Sequence, residues 1–300
     1  MTNKFRVSTS EVATFLTCKQ RWMYAHHPSY HLEPRTLGIA LSRGLIGHKA
    51  LEIYYKAILN GKLEAEAVKA TEDFLQTRTL REIRIGDGDK AKMITDLIPI
   101  IQKYFVESQW VLKRFNILGV ENLVYAPLPD EPDIEFAGRI DLMLEEKRGL
   151  TKGQVLPWDH KFTYNFWSAK ALKMNAQISN YVWAARAMGM HSRGGIINMV
   201  RYRTDAIESF RQEEVPTTSV VRKEFIANHT VAARQIVDLK LQDKVGLEQG
   251  ITRSTSKFNC EYCPFVDLCY TELTGQDVTV MLKANFRPNS YGYDNVLDVE

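Results

Sequence analysis

The sequence is short of several features that would fix a class at once. No run of about 18 or more apolar residues occurs, which excludes a helical membrane span. The opening residues, Met1-Thr2-Asn3-Lys4-Phe5-Arg6, lack the apolar stretch of a secretory signal, so a cytoplasmic protein is expected. No Gly-x4-Gly-Lys-Ser/Thr segment is present, so any strand unwinding would have to come from a partner. Neither internal repeats nor low-complexity segments appear. Cysteine is scarce: four in 300 residues, and in a reducing compartment such thiols point to metal binding before disulfides. An excess of one charge is also missing, because 39 Lys and Arg against 36 Asp and Glu leave a net charge of +3. That balance permits nucleic-acid binding without arguing for it.

Apolar side chains make up 45% of the chain, enough for a real core. Ser8 followed by Glu11 fits a capping box, and Val12, Phe15, Leu16, Trp22 and Met23 recur at helical spacing, so a helix is predicted over 8–27, closed by Pro28 and Pro34. Further helices are expected at 37–59, in a polar stretch to about 79, and at 92–113 after a Gly86-Asp87-Gly88-Asp89 turn. Branched apolar runs at 117–126, 134–146 and 155–162 read as strands, the last two forming a hairpin about the glycine turn at 148–153. A helix at 168–188, strands at 194–203 and 207–215 and a helix at 218–245 follow, with 285–293 irregular. This order predicts an α/β fold with a mixed central sheet flanked by helices. Residues 1–300 are expected to form a single domain: N-terminal helices (1–59), a helical insertion (60–115), a catalytic α/β core (116–216), a C-terminal helix with a cysteine triplet (217–270) and a tail (271–300).

Gly138-Arg139-Ile140-Asp141 falls on the middle strand of this core and Trp158-Asp159-His160-Lys161 on the next. Side chains two apart on a strand share a face, so Asp159 and Lys161 project together, and the hairpin can bring Asp141 beside them. Two carboxylates and an ammonium suit phosphodiester hydrolysis: the carboxylates hold Mg²⁺ or Mn²⁺, and the lysine orients water or offsets charge on the phosphate. A short Asp-x-Lys segment by itself is more often a solvated edge or an ion pair. His48 lies on the helix before the sheet, where an imidazole can supply a metal ligand or serve the core. Glu52, one turn later, shares its face, as Gln177 and Tyr181 share theirs.

In order and spacing, Gly47-His48, Gly138-Arg139-Ile140-Asp141, Asp159-His160-Lys161 and Gln177-Ile178-Ser179-Asn180-Tyr181 resemble the RecB-like PD-(D/E)XK nucleases. Ser8-Thr9-Ser10, Cys18, Arg21, Trp22 and Tyr24 resemble the opening of that family. The resemblance implies a restriction-endonuclease-like core, with His48, Asp141 and Asp159 as metal ligands and Lys161 as the catalytic lysine. It also implies that Gln177 and Tyr181 help hold a nucleic-acid strand. Asp159 stands where relatives also use Glu. Residues 60–115 and the tail have no clear counterpart.

Cys260, Cys263 and Cys269 form C-x2-C-x5-C, and Cys18 is the remaining thiol. Such spacing leaves zinc and iron–sulfur both open. A remote N-terminal cysteine with a C-terminal triplet is similar to the AddB nuclease domain and the CRISPR-associated RecB-type exonucleases, which implies a 4Fe-4S cluster joining the two ends of the domain. Its expected role is structural. Arg201, Arg203, Lys170 and Lys173 flank the site and can neutralise phosphates, while Tyr164, Phe166 and Trp167 can either stack on bases or pack a helix onto the sheet. The expected function is a metal-dependent nuclease acting on DNA, single strands preferred, as an exonuclease in recombination, repair or processing. The rival expectation is a nucleic-acid-binding or end-processing subunit that needs a helicase or recombination partner.

Overall fold

The computed structural model describes residues 4–78, 87–203, 208–242 and 251–289. In chain order the elements are β1 (Phe5–Ser8), α1 (Thr9–Thr17), α2 (Lys19–His26), β2 (Leu32–Pro34), α3 (Ile39–Leu59), α4 (Glu64–Asp73), a π-helical turn (Phe74–Arg78), α5 (Asp87–Glu107), α6 (Gln109–Arg114), β3 (Phe115–Leu128), β4 (Glu131–Glu146), β5 (Val155–Thr163), α7 (Ala169–Lys173), α8 (Ala176–Ala187), β6 (Gly194–Arg201), β7 (Phe210–Pro216), α9 (Ser219–Lys240), α10 (Lys257–Glu261), α11 (Val266–Leu273), α12 (Thr279–Asn285) and β8 (Phe286–Pro288). Among the described residues no helix is long and apolar enough to cross a membrane.

The predicted α/β fold with a mixed central sheet is the one observed. Several expected helices are broken, each at an identifiable place. The helix at 8–27 is preceded by β1 and interrupted at Cys18, whose backbone is extended. Ser8 caps α1 by accepting from the Glu11 amide at 3.1 Å. The hydroxyls of Thr14 and Thr17 bond back to the carbonyls of Ser10 and Ala13 one turn earlier, and the Cys18 amide closes the helix on the Thr14 carbonyl at 3.0 Å. The helix at 168–188 is two, because Asn175 leaves helical geometry to cap α8, its Oδ1 accepting from the Ile178 amide at 2.9 Å. The helix expected at 92–113 begins at Asp87, inside the anticipated turn, and breaks at Ser108. Gly86 and the part of the expected irregular tail from 290 onward lie outside the described residues; Phe286–Pro288, expected irregular, form β8 by pairing with β2.

The chain divides into two compact units. The first comprises 1–36, 125–137 and 226–300. In it β1 pairs in parallel with the start of β4, Phe5 opposite Ile134, and β2 pairs antiparallel with β8. Tyr24, Phe265, Leu268 and Phe286 form one of its cores. Glu11 is buried there and compensated, accepting from the Trp22 indole and pairing with Lys240, both at 3.0 Å.

The second unit comprises 37–124 and 138–225. Here β4 pairs antiparallel with β5, β5 pairs in parallel with β6, and β6 pairs antiparallel with β7. The sheet is covered on both faces, as parallel pairing demands. Ile46, Leu51 and Tyr55 of α3, with Leu97, Ile101 and Tyr104 of α5, pack against Leu142, Leu144, Trp158 and Val200. Leu172, Ile178 and Val182 pack with Ile197, Met199 and Val215 in a separate cluster.

Candidate active site

Alternation along β5 sets the site. Trp158 joins the core built with α3, Phe162 packs at its edge, and Tyr55 of α3 stacks on His160 at 6.0 Å. Asp159 and Lys161 therefore face the other way. The β4–β5 register runs from Glu145 opposite Val155 to Leu142 opposite Trp158. Asp141 and Asp159 are the next residues on each strand, beyond that pairing. There the His160 amide donates 2.6 Å to Asp141 Oδ2, so a β4 carboxylate takes a β5 backbone proton.

Helix α3 delivers His48 through the glycine before it. A Cβ on Gly47 would lie 2.2 Å from the Phe162 ring, so any larger residue there has to displace the ring or the helix. His48 Nδ1 then lies 3.3 Å from Asp141 Oδ2, with its ring 5.6 Å from Phe162. Glu52, on the same helix, is paired with Lys49 and Lys56 at 3.0 and 2.8 Å.

A ligand candidate missed by the sequence reading is Glu121. It sits within β3 at a left-handed φ of 55°. Its carboxylate, one His48 nitrogen and an Asp141 oxygen lie within 4.8 Å of one another. The available signal was a lone acid in the apolar run Ile117–Val124, a weak cue without the fold. Asp159 is not in that trio; its Oδ2 pairs with Lys161 Nζ at 2.6 Å.

Lys161 is also held from α8. Its ammonium donates 2.9 Å to Gln177 Oε1, Gln177 Nε2 donates 2.9 Å to the Tyr181 hydroxyl, and that hydroxyl donates 2.7 Å to the Arg139 carbonyl. The expected i, i+4 pair thus forms a relay from the lysine on β5 back to β4, two residues before Asp141. Behind the site, Asn198 Nδ2 and Trp158 Nε1 donate to His160 Nδ1 at 2.7 and 3.3 Å. His160 is consequently a neutral acceptor at Nδ1, with burial pushing its pKa down to about 3.

The acids are pushed apart in pKa. Burial acts to raise Asp141, but the charge and hydrogen bond of His48 and the His160 amide outweigh it and hold the carboxyl at about 2. Asp159 is raised by burial, with Asp141 adding and Lys161 opposing. Glu121 is raised to about 7 by burial and by the charges of Asp141 and Glu52. Burial opposes protonation of His48, yet Asp141 carries it above its ordinary value. Buried and half-buried carboxylates gathered at one place, Asp141 with Glu121 and with Asp159 nearby, are a setting that suits a hard divalent cation. The donor set, one imidazole nitrogen with carboxylate oxygens, suits Mg²⁺ or Mn²⁺.

In the first unit all four cysteines line one cavity of about 250 Å³, together with Arg21, Tyr24, Arg253 and Phe265. Burial raises the Cys263 thiol, and the Cys18 and Cys269 sulfurs contribute in the same direction. Four thiols around one cavity fit a thiolate-bound metal group.

The family model of the PD-(D/E)XK nuclease superfamily matches residues 6–270. A solved "putative exonuclease" from Eubacterium rectale aligns with a TM-score of 0.45 and 11% identity, over 85% of this chain and 91% of that one. The solved structure of SSO0001 aligns with a TM-score of 0.34 and 15% identity, over 86% of this chain and 95% of that one. No curated protein matches the sequence.

Proposed function

This chain belongs to the PD-(D/E)XK nuclease superfamily, and from its site we propose a RecB-like, divalent-metal-dependent deoxyribonuclease that shortens single-stranded DNA from an end. The observation that carries the reading is the meeting of His48, Glu121 and Asp141 within 4.8 Å, where β4 and β5 stop pairing, beside the Asp159–Lys161 ion pair. His48, Asp141, Asp159 and Glu121 would hold Mg²⁺ or Mn²⁺. When bound, such an ion polarises the scissile phosphate and lowers the pKa of bound water. The ammonium of Lys161 offsets charge that builds on the phosphate as water adds and the ester oxygen leaves. Gln177 and Tyr181 keep that ammonium from swinging away, so little reorganisation remains for the transition state. The exonuclease and single-strand parts of the proposal rest on the motif order shared with RecB-like nucleases.

The same resemblance, with four thiols on one cavity, supports a 4Fe-4S cluster held by Cys18, Cys260, Cys263 and Cys269. Its contribution would be to tie chain segments of the first unit together. Anaerobically purified protein should contain iron and acid-labile sulfide, and Cys260→Ser should lose both; zinc in their place would overturn the cluster.

The test of the nuclease is degradation of end-labelled single- and double-stranded DNA with Mg²⁺, Mn²⁺ or EDTA, beside Lys161→Ala. Metal-dependent cutting by the wild type and none by the variant is expected, with a product ladder growing from one end. Equal cutting by both would remove Lys161 from catalysis, and internal cuts in circular single strands would remove the exonuclease assignment.

A further inference from the structure

The loop that leaves the catalytic strand carries Tyr164 and Phe166, both covered by guanidinium groups of the same unit. Arg203 lies over Tyr164 at 5.0 Å, while Arg201 and Arg211 lie 4.9 and 4.4 Å from the centre of Phe166. Tyr164 leans on Tyr202 with ring centres 5.9 Å apart, and Arg43 of α3 covers Tyr202 at 5.0 Å. Tyr164 is three residues beyond Lys161, and Arg43 is five before His48. The strip is thus built on the elements that present the candidate active site. It lies at the carboxyl ends of β5 and β6, which run parallel, where open α/β sheets receive ligands.

We infer that this strip is the track along which a single nucleic-acid strand runs to the active site, a base stacking on Tyr164 and the strand's phosphates meeting the arginines, while Phe166 and Trp167 pack the loop onto the sheet. Three observations carry the inference. The charge is of the right sign: four guanidiniums converge, with Arg43 held by Asp96 at 3.3 Å and Arg211 by Glu208 at 2.6 Å. The buried Nε of Arg201 has no hydrogen-bond acceptor, an unmet donor that an anionic oxygen would satisfy. Tyr164 remains 53% exposed, although a ring of that size is a large apolar surface. Rings interleaved with cations along a path recognise a single strand without reading sequence, because every base has a stacking face.

The inference rests on the nuclease proposal for its direction, but it has a separate readout. Binding of a labelled oligothymidylate of about 12 nucleotides is measured by anisotropy in EDTA, where no cutting occurs. Tyr164→Ala should weaken binding about tenfold, within the range that loss of one stacked base gives, and Tyr164→Phe should restore it. Arg203→Ala should lower the slope of log affinity against log salt by about 0.7, as loss of one phosphate contact on a single strand predicts, and Arg203→Lys should keep the slope. Wild-type affinity in Tyr164→Ala with an unchanged slope in Arg203→Ala overturns the track. Thermal unfolding of each variant separates lost contacts from a lost fold, and Tyr164→Phe binding as weakly as the alanine variant also counts against stacking. Hydrolysis of bis(4-nitrophenyl) phosphate by wild type beside Lys161→Ala tests the catalytic reading alone. Its failure leaves the binding result standing, and the reverse also holds.

Discussion

The missing side chain at position 47 lets α3 lie against the Phe162 ring, one residue before His48. Because a Cβ there would meet the Phe162 ring at 2.2 Å, Gly47→Ala must push α3 from the sheet or turn the ring. Overpacking of this kind costs about 1–3 kcal/mol. Gly47→Ala should therefore unfold at lower temperature and bind Mn²⁺ more weakly, by calorimetric titration, and Gly47→Ala with Phe162→Leu should recover part of both. Tyr181 allows a sharper cut, since its hydroxyl both accepts from Gln177 and donates to the Arg139 carbonyl. Tyr181→Phe keeps the ring and removes both bonds. If the relay positions Lys161, kcat on a small phosphodiester should fall about 10–100-fold, the usual cost of losing a supporting partner at a metal site, while Tm changes little. An unchanged kcat would reduce the relay to packing.

Element by element, the sequence was informative where a pattern was periodic and silent where a break was local. The strands around Asp141 and Asp159 were legible because they are branched apolar runs separated by a glycine turn, and alternation then placed Asp159 and Lys161 on one face. The strand β1 was missed because four residues carry no period, and the break at Asn175 because a cap competes with an otherwise unbroken helical pattern. Glu121 escaped for a different reason: its role depends on a left-handed backbone position within β3, which no spacing rule reveals. The long helix α9 carries a prediction of its own. His229 donates through Nε2 to the Val7 carbonyl at 3.3 Å and packs on Phe136, joining α9 to β1 within the first unit. Burial lowers its pKa to about 4. The folded state thus binds this proton less readily than the unfolded chain, whose histidine titrates near ~6.5. The stabilisation is complete above that value and is lost progressively as pH falls from there towards about 4. For one buried histidine the full loss is on the order of 3 kcal/mol. His26, His27 and His160 are lowered as well, whereas His48 and Glu121 are raised and act in the opposite direction, so the contribution of His229 is read by difference from its own variant. Replacing His229 by Gln keeps a donor and removes the titration. Denaturant unfolding of His229→Gln should accordingly show a shallower acid slope than wild type, and parallel slopes would refute the assignment.

At the scale of the whole molecule, the first unit is assembled from three separate stretches of chain, 1–36, 125–137 and 226–300. Its secondary structure alone binds these stretches through short pairings, four residues between β1 and β4 and three between β2 and β8. Pairings so brief contribute little against the entropy of bringing distant segments together. The second unit needs less help, since its sheet is packed on both faces by continuous apolar clusters. A thiolate-bound group spanning Cys18 and the Cys260–Cys269 segment would close a very long loop, and by analogy with a disulfide it would restrain the unfolded chain by about 4–5 kcal/mol. Cys18→Ala should therefore cost stability unequally. Hydrogen exchange should rise first in β1, β2, α1 and β8, whereas β5, β6 and α8 in the catalytic unit keep their protection. The same variant should lose the iron and acid-labile sulfide that the proposed cluster would carry. Uniform loss of protection across both units would mean that the catalytic unit does not fold independently of the cysteine site. Unchanged protection of β1 and β8 in an iron-free variant would mean that the thiols do not hold the first unit together, and a redox or sensing role would then be the one to pursue.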